Sequence, residues 1–215
     1  MTTVTTQWHD GIDINGAPYP TRHPATEDTG SSTLNDLTDH HRDSLRAHHE
    51  AAHAIAALAG GGHVHYAKIA TTAHLRAKAA ESPGAGAIAG GDVYICNLSD
   101  GRGNAIFFGA GERAEDHWLH QNNLWTPRRA VGIELGAYGD RSQFLAVNPH
   151  FGFGADHNDY RVVHDLADQL ITQHWAAITI VAEVLVSRLH LTGQQIADLA
   201  QMPNGTHSAT CTFAA

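Results

Sequence analysis

The sequence predicts a mainly α fold of the α+β class, a helical domain with one small β-sheet. Apolar residues recur at three-, four- or seven-residue steps over about residues 159–189, which predicts a long amphipathic helix. The alanine-rich residues 48–62 end in three glycines and predict a second helix. Strand-like composition is confined to two short segments, 63–69 and 93–96.

The chain divides into three segments by composition. Residues 1–33 are rich in Thr, Ser, Asp, Gly and Pro and predict a flexible N-terminal arm, which Trp8 and Tyr19 could anchor to the body. Residues 34–202 carry the periodic apolar segments and are expected to form the domain, because a chain of 215 residues is long enough for one core. Residues 203–215 predict a frayed C-terminal tail.

The first half of the domain is expected to begin with a helix near Ser32 or Thr33 that runs into residues 48–62, with a break near residues 40–43. After the first strand, residues 70–92 are rich in Ala and Gly and predict a flexible loop.

The second half is expected to consist of helices separated by loops. Residues 104–120 predict a helix, and residues 121–139 predict a loop with a short helix around 130–135. Asp140 is well placed as the N-cap of the next helix, and Thr192 as the N-cap of the last one.

Composition excludes several function classes. The formal net charge is −9, and the only lysines are Lys68 and Lys78, which argues against a nucleic-acid surface. No apolar run approaches the ~18 residues of a membrane helix, and the N-terminus lacks the pattern of a secretory signal. Cys96 and Cys211 alone predict no disulfide framework, so a cytoplasmic location is expected.

The segment His49-Glu50-Ala-Ala-His53 carries the strongest chemical signal. Residues four apart lie on one face of a helix, so both imidazoles can bind one metal ion, and Glu50 lies beside a water on that metal. This is the H-E-x-x-H zinc signature, with the glutamate as general base. The chain has 18 histidines, so an accidental match is the alternative, but the alanine-rich helix favours a zinc (Zn2+) site.

A catalytic zinc needs a third protein ligand and one open position. The extension H-E-x-x-H-x-x-G-x-x-H is absent, because Ala56 and Ala59 stand at its last two fixed positions. Four acidic residues on later helices, or at their starts, remain candidates: Glu112, Glu115, Asp140 and Asp159.

Two further histidine pairs have ligand-like spacing. His63 and His65 share one face of a predicted strand, and His117 and His120 lie three apart on a predicted helix. An exposed strand face and a polar helix face are the preferred interpretations of these pairs.

Residues 48–69, HHEAAHAIAALAGGGHVHYAKI, resemble the HEAGHA(V/I)-A-small-GG-x-V-x-x-x-x-I segment of the FtsH-type zinc peptidases. GAYGDRSQF resembles the family's G-x-x-x-D segment, and LITQHWAAITIVAEVLVSRLHLTGQQIADL resembles the ending of its small stand-alone members. GAGERAED resembles the family's A-G-x-x-A-E helix, matched here by Ala110, Gly111, Ala114 and Glu115. The resemblance spans about residues 45–200.

The resemblance implies a zincin-like domain whose third zinc ligand is an aspartate. Asp140 fits by its distance from the long helix and is preferred, whereas Asp159 matches a G-A-x-x-D pattern with one residue too many and is the alternative. The implied activity is hydrolysis of peptide bonds through a zinc-bound water with Glu50 as general base. In zinc peptidases the strand after the metal helix, here 63–69, often forms the edge that holds an extended substrate.

Some features depart from the family. Ala52 replaces the glycine of HEAGH, and this chain has no AAA ATPase module, no Walker lysine and no membrane anchor. The expected partner is therefore a polypeptide substrate, without nucleic acid, membrane or ATP, and a homo-oligomer stays open. The alternative function is a zinc-binding regulatory or interaction protein that keeps the fold without useful proteolysis. Four residues are candidate oxyanion donors: His117, Tyr138, His157 and Tyr160.

Overall fold

Helices make up most of the computed structural model, which describes residues 7–10, 12–14, 17–24, 33–82, 90–98, 101–147 and 159–213. The helices in these ranges are α1 (Asp39–Ala59), α2 (Thr72–Glu81), α3 (Gly101–Gln121), α4 (Pro127–Gly136), α5 (Tyr138–Val147), α6 (Tyr160–Arg188) and α7 (Gly193–Ala200). The strands are β1 (Asp13–Ile14), β2 (Ala17–Pro18), β3 (His63–Ile69), β4 (Gly91–Cys96) and β5 (His190–Thr192). The prediction of a mainly helical fold with a small sheet is confirmed.

The core is formed where α1, α3 and α6 pack against one another. The buried face of α1 consists mostly of small residues, and Ala47, Ala51 and Ala54 are fully buried. Because these side chains are short, neighbouring helices can approach the α1 backbone closely. The helix that carries the H-E-x-x-H segment is therefore the central element of the fold.

The helix α1 begins later than the sequence predicts. Its N-cap is Thr38, whose hydroxyl accepts a hydrogen bond from the backbone N–H of His41 at 3.1 Å. The expectation of a start near Ser32 or Thr33 with a break inside residues 40–43 is wrong, because the chain turns before Thr38 and is helical after it.

The loop predicted over residues 70–92 contains the helix α2, so that prediction is wrong for Thr72–Glu81. Thr71 caps this helix by accepting from the backbone N–H of His74, and alanine favours the helical state. The side chains of α2 are mostly exposed, so no apolar periodicity marks it in the sequence.

The three-stranded antiparallel sheet has the order β4-β3-β5. The strand after α1, β3, is therefore central, and the expectation that it forms the sheet edge is wrong. β4 is an edge of this sheet within the described residues.

The loop predicted over residues 121–139 contains α4, which is capped by Thr126 and is longer than the short helix expected around residues 130–135. α5 follows after one residue and begins at Tyr138. Asp140 therefore lies in the first turn of α5, and its predicted role as N-cap is wrong.

The long helix predicted over residues 159–189 is confirmed as α6, with Asp159 as its N-cap and Leu189 in the left-handed region at its end. Thr192 caps α7 as predicted and forms a capping box with Gln195. By length and composition α6 could also cross a membrane, but core helices pass the same test, so one such helix is weak evidence.

Described parts of the N-terminal arm contact the domain. Tyr19 is buried and its hydroxyl donates to the carbonyl of Glu134. The Trp8 ring lies against His164, with ring centroids 5.2 Å apart. Arg22 pairs with two carboxylates of α6. Both expected anchors, Trp8 and Tyr19, thus pack on the body.

The C-terminal tail is hydrogen-bonded to the sheet as far as Cys211, whereas the sequence predicts that it frays. The Asn204 amide bonds both the backbone N–H and the carbonyl of Val64, at 2.8 and 2.9 Å. The backbone N–H of Gly205 donates to the carbonyl of Gly62 at 3.1 Å. The residues after Met202 therefore follow the sheet without adding a strand to it.

Candidate metal centre

Three ligand atoms from two helices converge on one point. The Nε2 atoms of His49 and His53, both on α1, lie 3.0 Å apart. Oδ2 of Asp140, on α5, lies 3.0 Å from His49 Nε2 and 3.4 Å from His53 Nε2. Tetrahedral zinc bonds of about 2.0–2.2 Å place ligand atoms about 3.3–3.6 Å apart. The spacing of the three atoms is therefore close to that of a zinc site.

The other ring nitrogens fix where the imidazole protons lie. His53 Nδ1 lies 2.6 Å from the carbonyl oxygen of Phe107, which can only accept, so this nitrogen carries the proton. His49 Nδ1 donates to the Glu115 carboxylate at 3.2 Å. In the neutral rings both Nε2 atoms then present lone pairs to each other and to the Asp140 carboxylate. Such a cluster of lone pairs favours a cation at its centre.

The electrostatics of the cluster agree with this arrangement. Burial lowers the pKa of His49, but the carboxylates of Glu115 and Asp140 outweigh it and raise that pKa well above its usual value. Burial raises the pKa of Asp140, but the charges and hydrogen bonds of His53 and His49 hold it below its usual range. The site therefore attracts a positive charge, which is a proton when no metal is bound.

Glu50 lies beside the cluster on α1 and is 7 % exposed. Its burial raises the pKa of the carboxyl group. The backbone of β4 passes so close that a Cβ at Gly91 would lie 2.2 Å from Glu50 Oε1. Only glycine fits at this position without displacing the carboxylate.

A second glycine makes room for the two histidine nitrogens of the cluster. A Cβ added at Gly111 on α3 would lie 2.5 Å from His49 Nε2 and 2.6 Å from His53 Nε2. Since real contacts of this kind are longer, any side chain here would push the two histidines away. The glycine of the AGERAE segment thus lets α3 pack directly against the cluster.

A cavity of about 660 Å³ opens onto the cluster. The edge strand β4 forms one side of it through Gly91, Asp92 and Val93. The outer edge of β4 pairs with no strand in the described part of the chain. An extended peptide can bind such an edge by main-chain hydrogen bonds.

Two of the acidic candidates lie elsewhere. Asp159, the alternative third ligand, caps α6 by accepting from the backbone N–H of Arg161 at 2.8 Å. Its carboxylate also pairs with the guanidinium of Arg161. Glu112 is fully buried with Arg141 and His164. The structure brings neither carboxylate into the cluster, because each is already held by cationic or N–H donors.

The histidines of α3 serve aromatic packing. His117 lies against Trp175 and His120 stacks on Trp125, with ring centroids 4.2 and 4.8 Å apart. Neither ring belongs to a group of metal-type ligands among the described residues.

The candidate oxyanion donors lie in different surroundings. The Tyr160 hydroxyl is buried and donates to Glu112, so it cannot reach a substrate. Tyr138 is 44 % exposed at the start of α5, two residues before Asp140. His157 lies outside the described residues.

Sequence reasoning missed the residues that orient the ligands. The sequence predicts Glu115 as a candidate ligand or as a family match, whereas in the structure it accepts a hydrogen bond from His49. The Phe107 partner of His53 is a backbone carbonyl, which no residue type can signal. The Gly90-Gly91 pair at the start of β4 is a signal that could have indicated the close approach to Glu50.

Comparison with known proteins gives no family. No protein-family model matches the sequence, and no curated protein matches it at the significance threshold. The resemblance to the FtsH-type peptidases therefore stays a prediction from the sequence motifs.

Proposed function

We propose that this chain is a zinc-dependent metallopeptidase with a zincin-like fold. His49, His53 and Asp140 would hold the zinc, and Glu50 would be the general base. The observation that carries the proposal is the convergence of three ligand atoms 3.0–3.4 Å apart, both imidazoles having their Nδ1 protons engaged elsewhere. Three protein ligands leave one tetrahedral position open, as catalytic zinc requires.

The surrounding residues support hydrolysis. Zinc, when bound, would polarise a carbonyl group and acidify a water molecule. Glu50 lines the same cavity and would take a proton from the attacking water and deliver it to the leaving amine. The raised pKa of its carboxyl group brings it closer to neutral pH, where a group that must both accept and donate a proton is most effective.

The shape of the cavity supports an extended polypeptide as substrate. The β4 edge offers backbone N–H and carbonyl groups beside Glu50, because Gly91 brings the strand against that carboxylate. A substrate strand paired with β4 would lie in the cavity that Glu50 and the three proposed zinc ligands also line. This pairing selects main-chain conformation more than side-chain identity.

The test is to compare wild type with Glu50→Gln after zinc loading. We expect Glu50→Gln to keep its zinc and to cleave an unstructured peptide library about 10²- to 10⁴-fold more slowly, since it cannot take up a proton. The matched control is Glu183→Gln, which changes an exposed carboxylate of α6 and should leave both properties unchanged.

Two results would overturn the proposal. If Glu50→Gln cleaves as fast as wild type, Glu50 is not the base. If zinc-loaded wild type cleaves nothing in the library, the chain is a zinc-binding protein without peptidase activity, which is the alternative function.

A further inference from the structure

A second group of metal-type ligands lies on the opposite end of the sheet from Glu50. His65 of β3, Cys96 of β4, and His207 and Cys211 of the tail each offer one ligand atom, and all four atoms lie within 4.8 Å of one another. The sequence alone does not suggest this group, because its members are spread over almost 150 residues.

The contacts inside the group match a zinc site with two sulfurs. His65 Nε2 lies 3.2 Å from Cys96 Sγ and 3.4 Å from Cys211 Sγ. A tetrahedral zinc with bonds of about 2.0–2.3 Å to nitrogen and sulfur sets such atoms about 3.3–3.8 Å apart. The ring of His207 lies 5.0 Å from that of His65, centroid to centroid, and completes the set.

The backbone of the tail is shaped to present its two ligands. A turn closed by the hydrogen bond from Cys211 N–H to the Ser208 carbonyl, 3.0 Å long, folds Cys211 back beside His207. The Ser208 N–H also points at Cys96 Sγ, at 3.4 Å. Backbone donors of this kind stabilise a thiolate that binds a metal.

The residue types of this group suit zinc, and its side chains are accessible to a metal ion from solvent. Two cysteines and two histidines form a closed four-ligand set of the structural type, and soft thiolates select zinc over harder cations. His65, Cys96 and Cys211 are partly exposed and His207 is exposed, so a metal ion can reach them from solvent. Both thiols are free.

We propose that His65, Cys96, His207 and Cys211 form a structural zinc site that fastens the C-terminal tail to the sheet. The site is separate from the candidate metal centre on α1. Cys96 ends the same strand that begins at Gly91, about 17 Å away along β4. Zinc here therefore also fixes the far end of the edge strand that borders the cavity.

The test is a cobalt titration of the full-length, metal-free chain under reducing conditions. Thiolate ligation gives a sulfur-to-cobalt charge-transfer band, which a site made of histidines and aspartate cannot give. We expect the band in wild type and in His53→Ala, and we expect it to be lost in Cys96→Ser and in Cys211→Ser. His190→Ala is the matched control, because His190 is an exposed histidine of β5 outside the group and should keep the band.

Hydrogen exchange gives a readout on the folded wild-type chain. Zinc should slow amide exchange in residues 203–213 of wild type and of His53→Ala, but not of Cys96→Ser. The proposal is overturned if folded wild type binds cobalt without the charge-transfer band. It is also overturned if the two thiols pair as a disulfide in the presence of reductant and zinc, since they would then be unable to bind metal.

Discussion

Two carboxylates of α3, about one turn apart, each contact a histidine of another helix, but the two groups differ in charge balance. Glu112 is surrounded by donors: Arg141 at 2.8 Å, His164 at 2.6 Å and the hydroxyl of Tyr160. Glu115 accepts from one imidazole, His49, whose other nitrogen faces His53 and Asp140. The first group has its own permanent cation, and the second has lone pairs converging on a point.

This difference separates a structural network from a binding site. Burial raises the pKa of Glu112, but Arg141 and His164 outweigh it and hold that pKa below its usual range. A carboxylate neutralised in this way needs no ligand. The candidate metal centre has no permanent cation of this kind: without metal, only a proton on an imidazole can balance Asp140, and a bound metal cation would take that place.

The largest expected contrast in stability and zinc binding is between two neighbours on α5: Arg141 pairs with Glu112, and Asp140 belongs to the candidate metal centre. Arg141→Met leaves Glu112 buried without its guanidinium, so the free energy of unfolding should fall by about 3–5 kcal/mol, with zinc still bound by the folded protein. Asp140→Asn should lose the α1 zinc and lower the free energy of unfolding of the metal-free protein by less, because Asp140 and its partner His49 are only partly buried. Urea unfolding and metal analysis measure both. Equal destabilisation of the two metal-free variants would contradict the distinction.

Two glycines on α3 give a smaller contrast. Gly111→Ala places a Cβ within 2.6 Å of both ligand nitrogens and should reduce zinc affinity at this site at least about 100-fold. Gly109→Ala is the matched control, because its Cβ would meet Ala167 and Val163 at ordinary distances of 3.6 and 3.7 Å. That change should be neutral or stabilise the helix by up to about 1 kcal/mol. Calorimetric zinc titration tests both, and tight binding by Gly111→Ala would show that the site geometry is wrong.

The smallest effect is on the pH dependence of zinc binding. Because the carboxylates raise the pKa of His49, this imidazole must lose its proton before zinc can bind. Zinc affinity should therefore fall as the pH falls below that pKa, by up to about tenfold per pH unit for one proton. Glu115→Gln should weaken zinc about 10- to 100-fold and shift this dependence to lower pH, since it removes the strongest charge that raises the pKa. Zinc titrations from pH 6 to 9 compare the variants; an unchanged profile in Glu115→Gln would contradict the role of Glu115.

Local sequence signals predicted much of the fold. The strand predicted over 63–69 is β3 with the same bounds, and the long helix and the Thr192 cap are found as expected. These features depend on periodicity and capping, which act over a few residues. The sequence does not predict the exposed helix α2, because its alanines lie in a segment without an apolar periodicity and such a segment is also typical of a loop.

The sequence could not complete the candidate site, because its parts come from distant elements. Asp140 and Asp159 both lie near the start of a helix, and only the packing of α5 against α3 brings one of them to the histidines. The clearances at Gly91 and Gly111 likewise depend on how closely β4 and α3 approach α1. Such distances are set by the whole core, not by local pattern.

The most direct test of the α1 zinc site is anomalous diffraction at the zinc edge from crystals of the zinc-loaded protein. We expect a peak about 2.0–2.2 Å from His49 Nε2, His53 Nε2 and the Asp140 carboxylate. A protein loaded with zinc that shows no anomalous peak between these three residues would contradict it.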